Sequence, residues 1–360
     1  MSANLYLPLY LTIVTILTLG QYVSYKRKAY GALVMESHGK TVLSLVLAVF
    51  MTFFIGSRPA AYIFIDTMNY VIDYNAMEGN YFVVDHNATN YLFDNLFAWI
   101  ASEQLGYSCF FLVIAAIYFC GTWFACKRIF PSDTLVAFLT FLAAFSTFSY
   151  GTNGIKAGAA AALFLIAISY RNNIIIAALM LFVTLGFHHS MIMPIAAFIA
   201  AYFYKNAKVY FGVWFVCLLM AAAHITFFQE LFAGYSDESG AGYLTSSGTG
   251  WGGKEGFRID FVIYSAMPVF IGYWAVFKRG LRSAMYEFIL SIYLLSNSVW
   301  MLCMYANFTN RIAYLSWGIY PVVLIYPFLN EKIGTQQYKM LANVIILHLA
   351  FTLFMEIIYY

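Results

Sequence analysis

Charged residues are scarce in this chain, since Asp, Glu, Lys and Arg make up only 10% of its 360 residues. Soluble domains carry about 25% charged and about 45–50% apolar residues, whereas 63% of this chain is apolar. A soluble domain of this length has too little interior to bury so much apolar surface, so the composition excludes that class. The alternating strands of about 10 residues that would indicate a membrane barrel are missing too.

Cysteines are also few, and their positions exclude a disulfide framework. The five cysteines lie within or at the ends of apolar runs: Cys109, Cys120, Cys126, Cys217 and Cys303. There is no CxxC pair and no Cys/His spacing typical of a metal site. We therefore interpret them as small packing residues, and we predict neither a metal nor a cofactor.

What the chain has instead is a series of apolar runs of about 20 residues, each long enough to cross a hydrocarbon core of about 30 Å. Helices satisfy their own backbone hydrogen bonds in lipid, so we predict an all-α, polytopic integral membrane protein with a single transmembrane domain, 1–360. The first run, Leu5 to Tyr22, lacks the basic start and the cleavage site of a signal peptide and is predicted to stay as a span. About twelve transmembrane helices are predicted, at 4–24, 40–56, 107–126, 135–150, 154–170, 173–188, 190–204, 208–229, 258–277, 284–304, 311–328 and 340–358.

The basic residues predict the orientation of these spans. Fourteen of the nineteen Lys and Arg residues fall on one face, and every connection alternates without a violation. Since positive charge accumulates in cytoplasmic loops, this face is predicted to be cytoplasmic and both termini to lie outside. The outer face holds the other five: Arg58, Lys156, Lys254, Arg258 and Arg311.

Two long segments are predicted on the outer face. Segment 57–106 is acidic, and apolar residues between 91 and 100 recur at helical spacing, which indicates an amphipathic helix on the membrane surface. Segment 230–257 is rich in Gly and Ser and is either a lid or a flexible connector. Its Gly248–Lys254 stretch has the glycine spacing of a P-loop, but Glu255 stands where Ser or Thr is needed, so we reject a nucleotide site.

The stretch from Tyr150 to Pro194 reads as two membrane helices joined by a turn at 170–173, so its two polar ends return to one membrane face. One end carries Asn153 and Lys156. A lysine within an apolar run indicates a functional site, or else it extends its ammonium to the head groups. The other end carries His188 and His189, of which one is expected to face a site as a proton acceptor; the alternative is a structural role at the interface.

Four cations of the outer face have side chains that could bind phosphate. Arginine forks suit phosphate oxygens, and Arg58, Arg258 and Arg311, together with Lys156, would suit a lipid-linked pyrophosphate. Carboxylates on the same face, such as Asp66, are either bases or partners of these cations.

Four short motifs in this order give the chain a resemblance to a known family. They are Arg58 with Asp66-Thr67-x-x-Tyr70, Asn153-x-x-Lys156, His189-Ser190 and Asn310-Arg311. The series resembles the EpsG-like branch of the Wzy-type polysaccharide polymerases. Two departures stand out: the family usually has arginine and glutamine where this chain has Lys156 and Ala157, and glycine where it has Ile65.

The resemblance implies a bacterial inner-membrane glycosyltransferase with a GT-C-like architecture. It would join undecaprenyl-pyrophosphate-linked repeat units of O-antigen, capsule or exopolysaccharide at the periplasmic face. Its partners would be these lipid-linked glycans and, as a possible further partner, a chain-length regulator protein, with no nucleic acid. The implied residues are His189, His188 or Asp66 for catalysis, Arg58, Lys156, Arg311 and Arg258 for pyrophosphate, and Asn153, Tyr70 and Asn310 for substrate.

Two other functions stay open. A lipid-linked oligosaccharide flippase would also have about twelve spans, but it should carry charges toward both faces and an internal repeat. An O-antigen ligase uses the same donor and transfers the glycan to lipid A core, and the sequence separates it poorly from a polymerase.

Overall fold

The structure of the chain is a computed structural model that describes residues 1–28, 38–233, 256–307 and 309–359. Most of the Gly/Ser-rich segment 230–257, with Lys254, lies outside the described residues. In the described part the regular structure is helical, which confirms the predicted all-α fold. The α-helices are α1 (Tyr6–Arg27), α2 (His38–Gly56), α3 (Thr67–Met77), α4 (Tyr91–Ser102), α5 (Tyr107–Ile129), α6 (Thr134–Leu142), α7 (Phe145–Thr152), α8 (Ile155–Ser169), α9 (Ile174–Phe187), α10 (Ile192–Phe203), α11 (Ala207–Ala222), α12 (Phe227–Ala233), α13 (Ile259–Tyr273), α14 (Ala284–Leu302), α15 (Thr309–Trp317), α16 (Tyr320–Leu329) and α17 (Gln337–Phe354).

The helices are long and apolar enough to make this a multi-pass membrane protein. Among the described residues, 7 helices meet the length and hydropathy of a span, or up to 8 if the bent pair α6 and α7 is counted as one. Four shorter apolar helices, α8 to α11, coincide with four further predicted spans. The count of twelve spans is therefore not confirmed and stays a prediction.

Local sequence explains where two of these helices begin. Asn173 closes the predicted turn and its side-chain oxygen accepts the backbone N–H of Ile176 at 3.3 Å, which caps α9. Ser283 caps α14 in the same way by accepting the N–H of Tyr286 at 3.4 Å. Such caps satisfy N–H groups that have no partner within the helix.

The chain divides into two compact units. The first consists of residues 1–188, 328–330 and 334–360. In it α5 packs against α2 and α8, α8 packs against α9, and α1 packs against α17. The second consists of residues 189–327 and 331–333, and its central helix is α14, which contacts α10, α11 and α15.

One predicted span of the first unit is broken. The stretch 135–150 is predicted as one continuous span, but α6 and α7 meet at a bend of 73°. At the break four consecutive backbone carbonyls each accept a side-chain hydrogen bond: Thr140 from His348 (3.1 Å), Phe141 from Thr147 (2.5 Å), Leu142 from Tyr10 (2.6 Å) and Ala143 from Thr352 (2.7 Å). Irregular backbone is tolerated at membrane depth where protein groups satisfy it in this way.

The second unit has a buried polar network around Asn297, which is fully buried on α14. Its amide oxygen accepts the indole N–H of Trp214 at 2.8 Å, and its amide nitrogen donates to the hydroxyls of Ser265 and Ser316 at 3.1 and 3.0 Å. The network joins α11, α13 and α15 to the central helix. Buried polar groups that are satisfied in this manner fix how helices pack against one another.

Candidate functional site

The candidate site in the first unit lies at the junction of α7 and α8, where only Asn153 and Gly154 separate the two helices. A Cβ atom on Gly158 would lie 2.7 Å from the carbonyl oxygen of Tyr150. The glycine therefore lets the first turn of α8 pack directly on the end of α7. This close approach fixes the position of Lys156, which lies on that first turn.

The loop before α3 is attached to this junction. The backbone N–H of Asp66 donates to the side-chain oxygen of Asn153 at 3.2 Å, and the hydroxyl of Thr67 donates to the carbonyl of Thr152 at 3.1 Å. Ile65, which precedes Asp66, has a positive φ of 48°. Glycine adopts this backbone region readily, whereas a β-branched residue does not. The structure thus brings together Asp66 and Asn153, both of which the sequence predicts for the site.

Arg58 lies beneath the same junction and is only 2% exposed. Its guanidinium donates to the carbonyls of Ile55 and Thr152 at 3.2 and 3.0 Å and to the hydroxyl of Thr67 at 3.2 Å. It also stacks 4.3 Å from the ring centroid of Phe111. In the described part of the chain no carboxylate oxygen lies within 4.0 Å of its nitrogens.

The charge of Arg58 is retained in this buried position. Burial lowers its pKa to about 10, so the guanidinium stays protonated at neutral pH. The carbonyls that it contacts come from the C-terminal ends of α2 and α7, where the helix dipole is negative and stabilises a cation. The geometry therefore gives Arg58 a positioning role: it holds the end of α2, the end of α7 and the start of α3 together.

Lys156 is the accessible cation of the junction, with 27% of its side chain exposed. Its ammonium lies 3.5 Å from the carboxylate of Asp94 and 5.0 Å from the ring centroid of Phe93, both on α4. Sequence reasoning missed Asp94. The signal available was a single acid in the otherwise apolar first turn of a helix, and it did not reveal the partner on α8.

Helix α4 lies in segment 57–106, where the sequence predicts an amphipathic helix. Its buried face, which includes Phe93 and Phe97, packs against α3, α5 and α9. The rings of Phe97 and Phe110 meet edge to face at 4.6 Å. Tyr70, which is predicted to contact substrate, is part of this aromatic cluster. Its ring centroid lies 6.0 to 6.4 Å from those of Phe93, Phe97, Phe110 and Phe111. The position of α4 relative to the membrane stays a prediction.

The two predicted histidines fall on different units. His188 ends α9 and is half-buried, and its backbone N–H donates to the carbonyl of Thr184 at 3.1 Å. His189 begins the short 3-10 helix His189–Met191 and is also half-buried. The choice between them therefore stays a prediction. No three His, Cys, Asp or Glu side chains within the described ranges are grouped so as to hold a metal ion.

The remaining predicted residues lie in the second unit. Arg258 precedes α13, and its guanidinium donates twice to the carboxylate of Asp260, at 2.6 and 3.0 Å. The two side chains are 7% and 9% exposed, so this pair is closed to solvent. Asn310 and Arg311 lie on the first turn of α15, where Asn310 is half-buried and Arg311 is exposed.

A comparison with known protein families covers most of the chain. The model of the EpsG family matches residues 41–360. The chain belongs to the EpsG family. This confirms the predicted resemblance, and EpsG membership supports a polysaccharide polymerase of the Wzy type at the level of the family. Neither the curated proteins nor the solved structures include a match.

Proposed function

We propose that this EpsG-family protein is a glycosyltransferase that polymerises oligosaccharide repeat units carried on undecaprenyl pyrophosphate at the periplasmic face of the bacterial inner membrane. The observation that carries the proposal is the family match over residues 41–360. The α7–α8 junction adds to it, because its one accessible lysine has the chemistry to hold a lipid diphosphate. Lysine binds phosphate as a point charge.

The reaction transfers the growing glycan from its lipid carrier. A hydroxyl oxygen of the incoming lipid-linked unit forms a bond with the anomeric carbon, and the bond from that carbon to the diphosphate oxygen breaks. The diphosphate leaves with the electron pair, and the hydroxyl proton passes to a base. Lys156 would stabilise the negative charge that develops on the leaving group, and losing one such donor costs about 10²–10³ in rate.

Three groups are proposed for the base. Asp66 has the support of its backbone link to Asn153, which fixes it at the same junction as Lys156. His189 and His188 are the alternatives, since imidazole is a common general base. Arg311 is exposed in the second unit, and its guanidinium is of the type that binds phosphate oxygens. Asn153, Tyr70 and Asn310 would contact the sugars or support the residues that do.

The ladder of surface glycans tests the proposal in a strain that lacks this protein and is complemented with single variants. Lys156→Ala is expected to leave acceptors that carry a single repeat unit, because export and ligation continue while chain growth stops. The matched control is Lys205→Ala, which removes another exposed lysine and should restore the full ladder. Protein levels in the membrane are compared so that a folding defect is recognised.

The same gel separates the alternative functions. Bare acceptors in the deletion strain would identify a flippase or a ligase and would overturn the proposal. Lipid-linked polymer that accumulates in the periplasm would identify the ligase. A full ladder from Lys156→Ala at a normal protein level would remove that residue from the mechanism.

A further inference from the structure

Asp94 holds Lys156 loosely. The ammonium nitrogen and the nearest carboxylate oxygen are 3.5 Å apart, which is longer than the roughly 2.7–2.9 Å of a strong charge-assisted hydrogen bond. Both side chains are open to solvent, with 27% of Lys156 and 38% of Asp94 exposed. Pairs with this geometry and exposure contribute little to stability, so another anion can replace the carboxylate at low cost.

The carboxylate of Asp94 does not depend on the lysine. Its second oxygen accepts the backbone N–H of Asn90 at 3.1 Å, and the N–H of Asp94 donates to the carbonyl of Asn90 at 2.8 Å. Both contacts lie at the start of α4, where the helix dipole favours a negative charge. If Lys156 leaves, Asp94 therefore remains bonded, charged and in the same place.

The ammonium of Lys156 has a second contact, which does not involve the carboxylate of Asp94. It lies 5.0 Å from the ring centroid of Phe93, within the range of a cation–π interaction. Since an ammonium has three donors on a flexible stem, Lys156 can turn from one oxygen to another above the ring. A diphosphate carries more negative charge than one carboxylate and competes well for it.

We propose that Asp94 is the resident counter-ion of Lys156 and that a lipid diphosphate takes the ammonium from it by exchange. The inference rests on the proposed function and adds a positioning residue to it. Asp94 competes with the diphosphate for the ammonium of Lys156. Asp94 thus weakens binding of the lipid diphosphate and speeds its release after transfer.

The test measures binding to the purified full-length protein in nanodiscs with farnesyl diphosphate as the probe and uncharged farnesol as the control ligand. Asp94→Asn keeps an oxygen that can accept the N–H of Asn90 but removes the charge. It is expected to tighten binding of farnesyl diphosphate about 3- to 10-fold, the effect of one nearby charge in a largely solvated site. Farnesol should bind the variant and the wild type equally.

A matched control removes a charge next to the opposite end of α4. Glu103 is exposed and follows the other end of α4, about 14 Å along the helix axis from Asp94, which exceeds the Debye length of about 8 Å at physiological salt. Glu103→Gln should leave the affinity unchanged. If Asp94→Asn is poorly folded, Asp94→Ser supplies a second variant with an oxygen acceptor for the helix cap.

The double variant decides whether the effect passes through the lysine. Lys156→Met should weaken binding of farnesyl diphosphate, and Asp94→Asn should add nothing in that background. The proposal is overturned by unchanged or weaker binding in Asp94→Asn, by a gain that persists without Lys156, or by unchanged binding in Lys156→Met. These results are independent of the glycan ladder, so failure of the exchange and failure of the polymerase proposal are told apart.

Discussion

Two ion pairs of this protein, one in each unit, differ in nearly every respect. Arg258 and Asp260 are two residues apart in sequence, make two short hydrogen bonds and are 7% and 9% exposed. Lys156 and Asp94 come from two helices, make one contact at 3.5 Å and are 27% and 38% exposed. The first pair is closed and neutral, whereas the second leaves donors of the lysine available.

The difference shows that a cation at the end of a span is not by itself a sign of a binding site. From the sequence, Arg58 and Lys156 are predicted to bind phosphate, with Arg258 as a weaker candidate. In the structure Arg58 is fixed by three acceptors and Arg258 by a bidentate carboxylate, so both favour structural roles. Lys156 combines a weak partner with access to solvent, which is what an exchangeable anion site needs.

The largest effect on stability is expected from breaking the closed pair. Asp260→Asn removes the charge of the carboxylate that accepts two hydrogen bonds from the buried guanidinium of Arg258, and breaking a buried ion pair typically costs about 3–5 kcal/mol of unfolding free energy. We expect a lower melting temperature in detergent and less protein in the membrane.

The control for this prediction replaces both partners with apolar residues. Arg258→Met with Asp260→Leu removes both charges, and such replacements are often neutral or stabilising. The double variant should therefore melt close to the wild type. Wild-type melting of Asp260→Asn would show that the pair is not buried as described.

The exposed pair of Lys156 and Asp94 is expected to contribute little to stability. Lys156→Met should change the unfolding free energy by only about 0–1 kcal/mol, because exposed ion pairs contribute little. If the proposed function is correct, the same variant should lose polymer in the cell. Thermal melts of Lys156→Met and Asp260→Asn, run side by side, compare the loss of melting temperature in the two variants. Equal destabilisation in both variants would contradict it.

Composition and long apolar runs predict much of this fold. The continuous run 107–126 corresponds to α5, and the turn at 170–173 ends at the residue that caps α9. The break between α6 and α7 could not be predicted, because the stretch 135–150 contains neither Pro nor Gly to mark it. Three backbone carbonyls at the break accept hydrogen bonds from Tyr10, His348 and Thr352, which lie far away in the sequence.

The candidate site was only partly predictable for the same reason. Lys156 is conspicuous in the sequence because a charge within an apolar run is costly, and Asn153 lies on the adjoining turn. Asp94 is not conspicuous, because its importance comes from a contact between α4 and α8 that no local spacing encodes. Hydrophobic periodicity predicts which face of a helix is buried. It does not predict which residue contacts a given side chain.

A small effect on stability, of opposite sign to the first, is expected at the strained residue that precedes Asp66. Ile65 has φ 48° and ψ −91° and is 63% exposed, so its side chain contributes little packing to offset the strain. Such conformations cost about 1–3 kcal/mol, and glycine avoids most of that while losing about 0.4–1 kcal/mol through the unfolded chain. Ile65→Gly should therefore raise the unfolding free energy by about 1 kcal/mol, measured as a higher melting temperature.

The neighbouring Ile63 provides the control, because it is 56% exposed and lies in the 3-10 helix Tyr62–Phe64 without a positive φ. Ile63→Gly should lower stability by about 0.5–1 kcal/mol, since glycine has the larger unfolded-state entropy and no strain is relieved. Opposite signs at these two positions would locate the strain at the residue that presents Asp66 to Asn153. If both variants lose stability, the backbone at Ile65 is not strained, and the loop is held at the site by its hydrogen bonds alone.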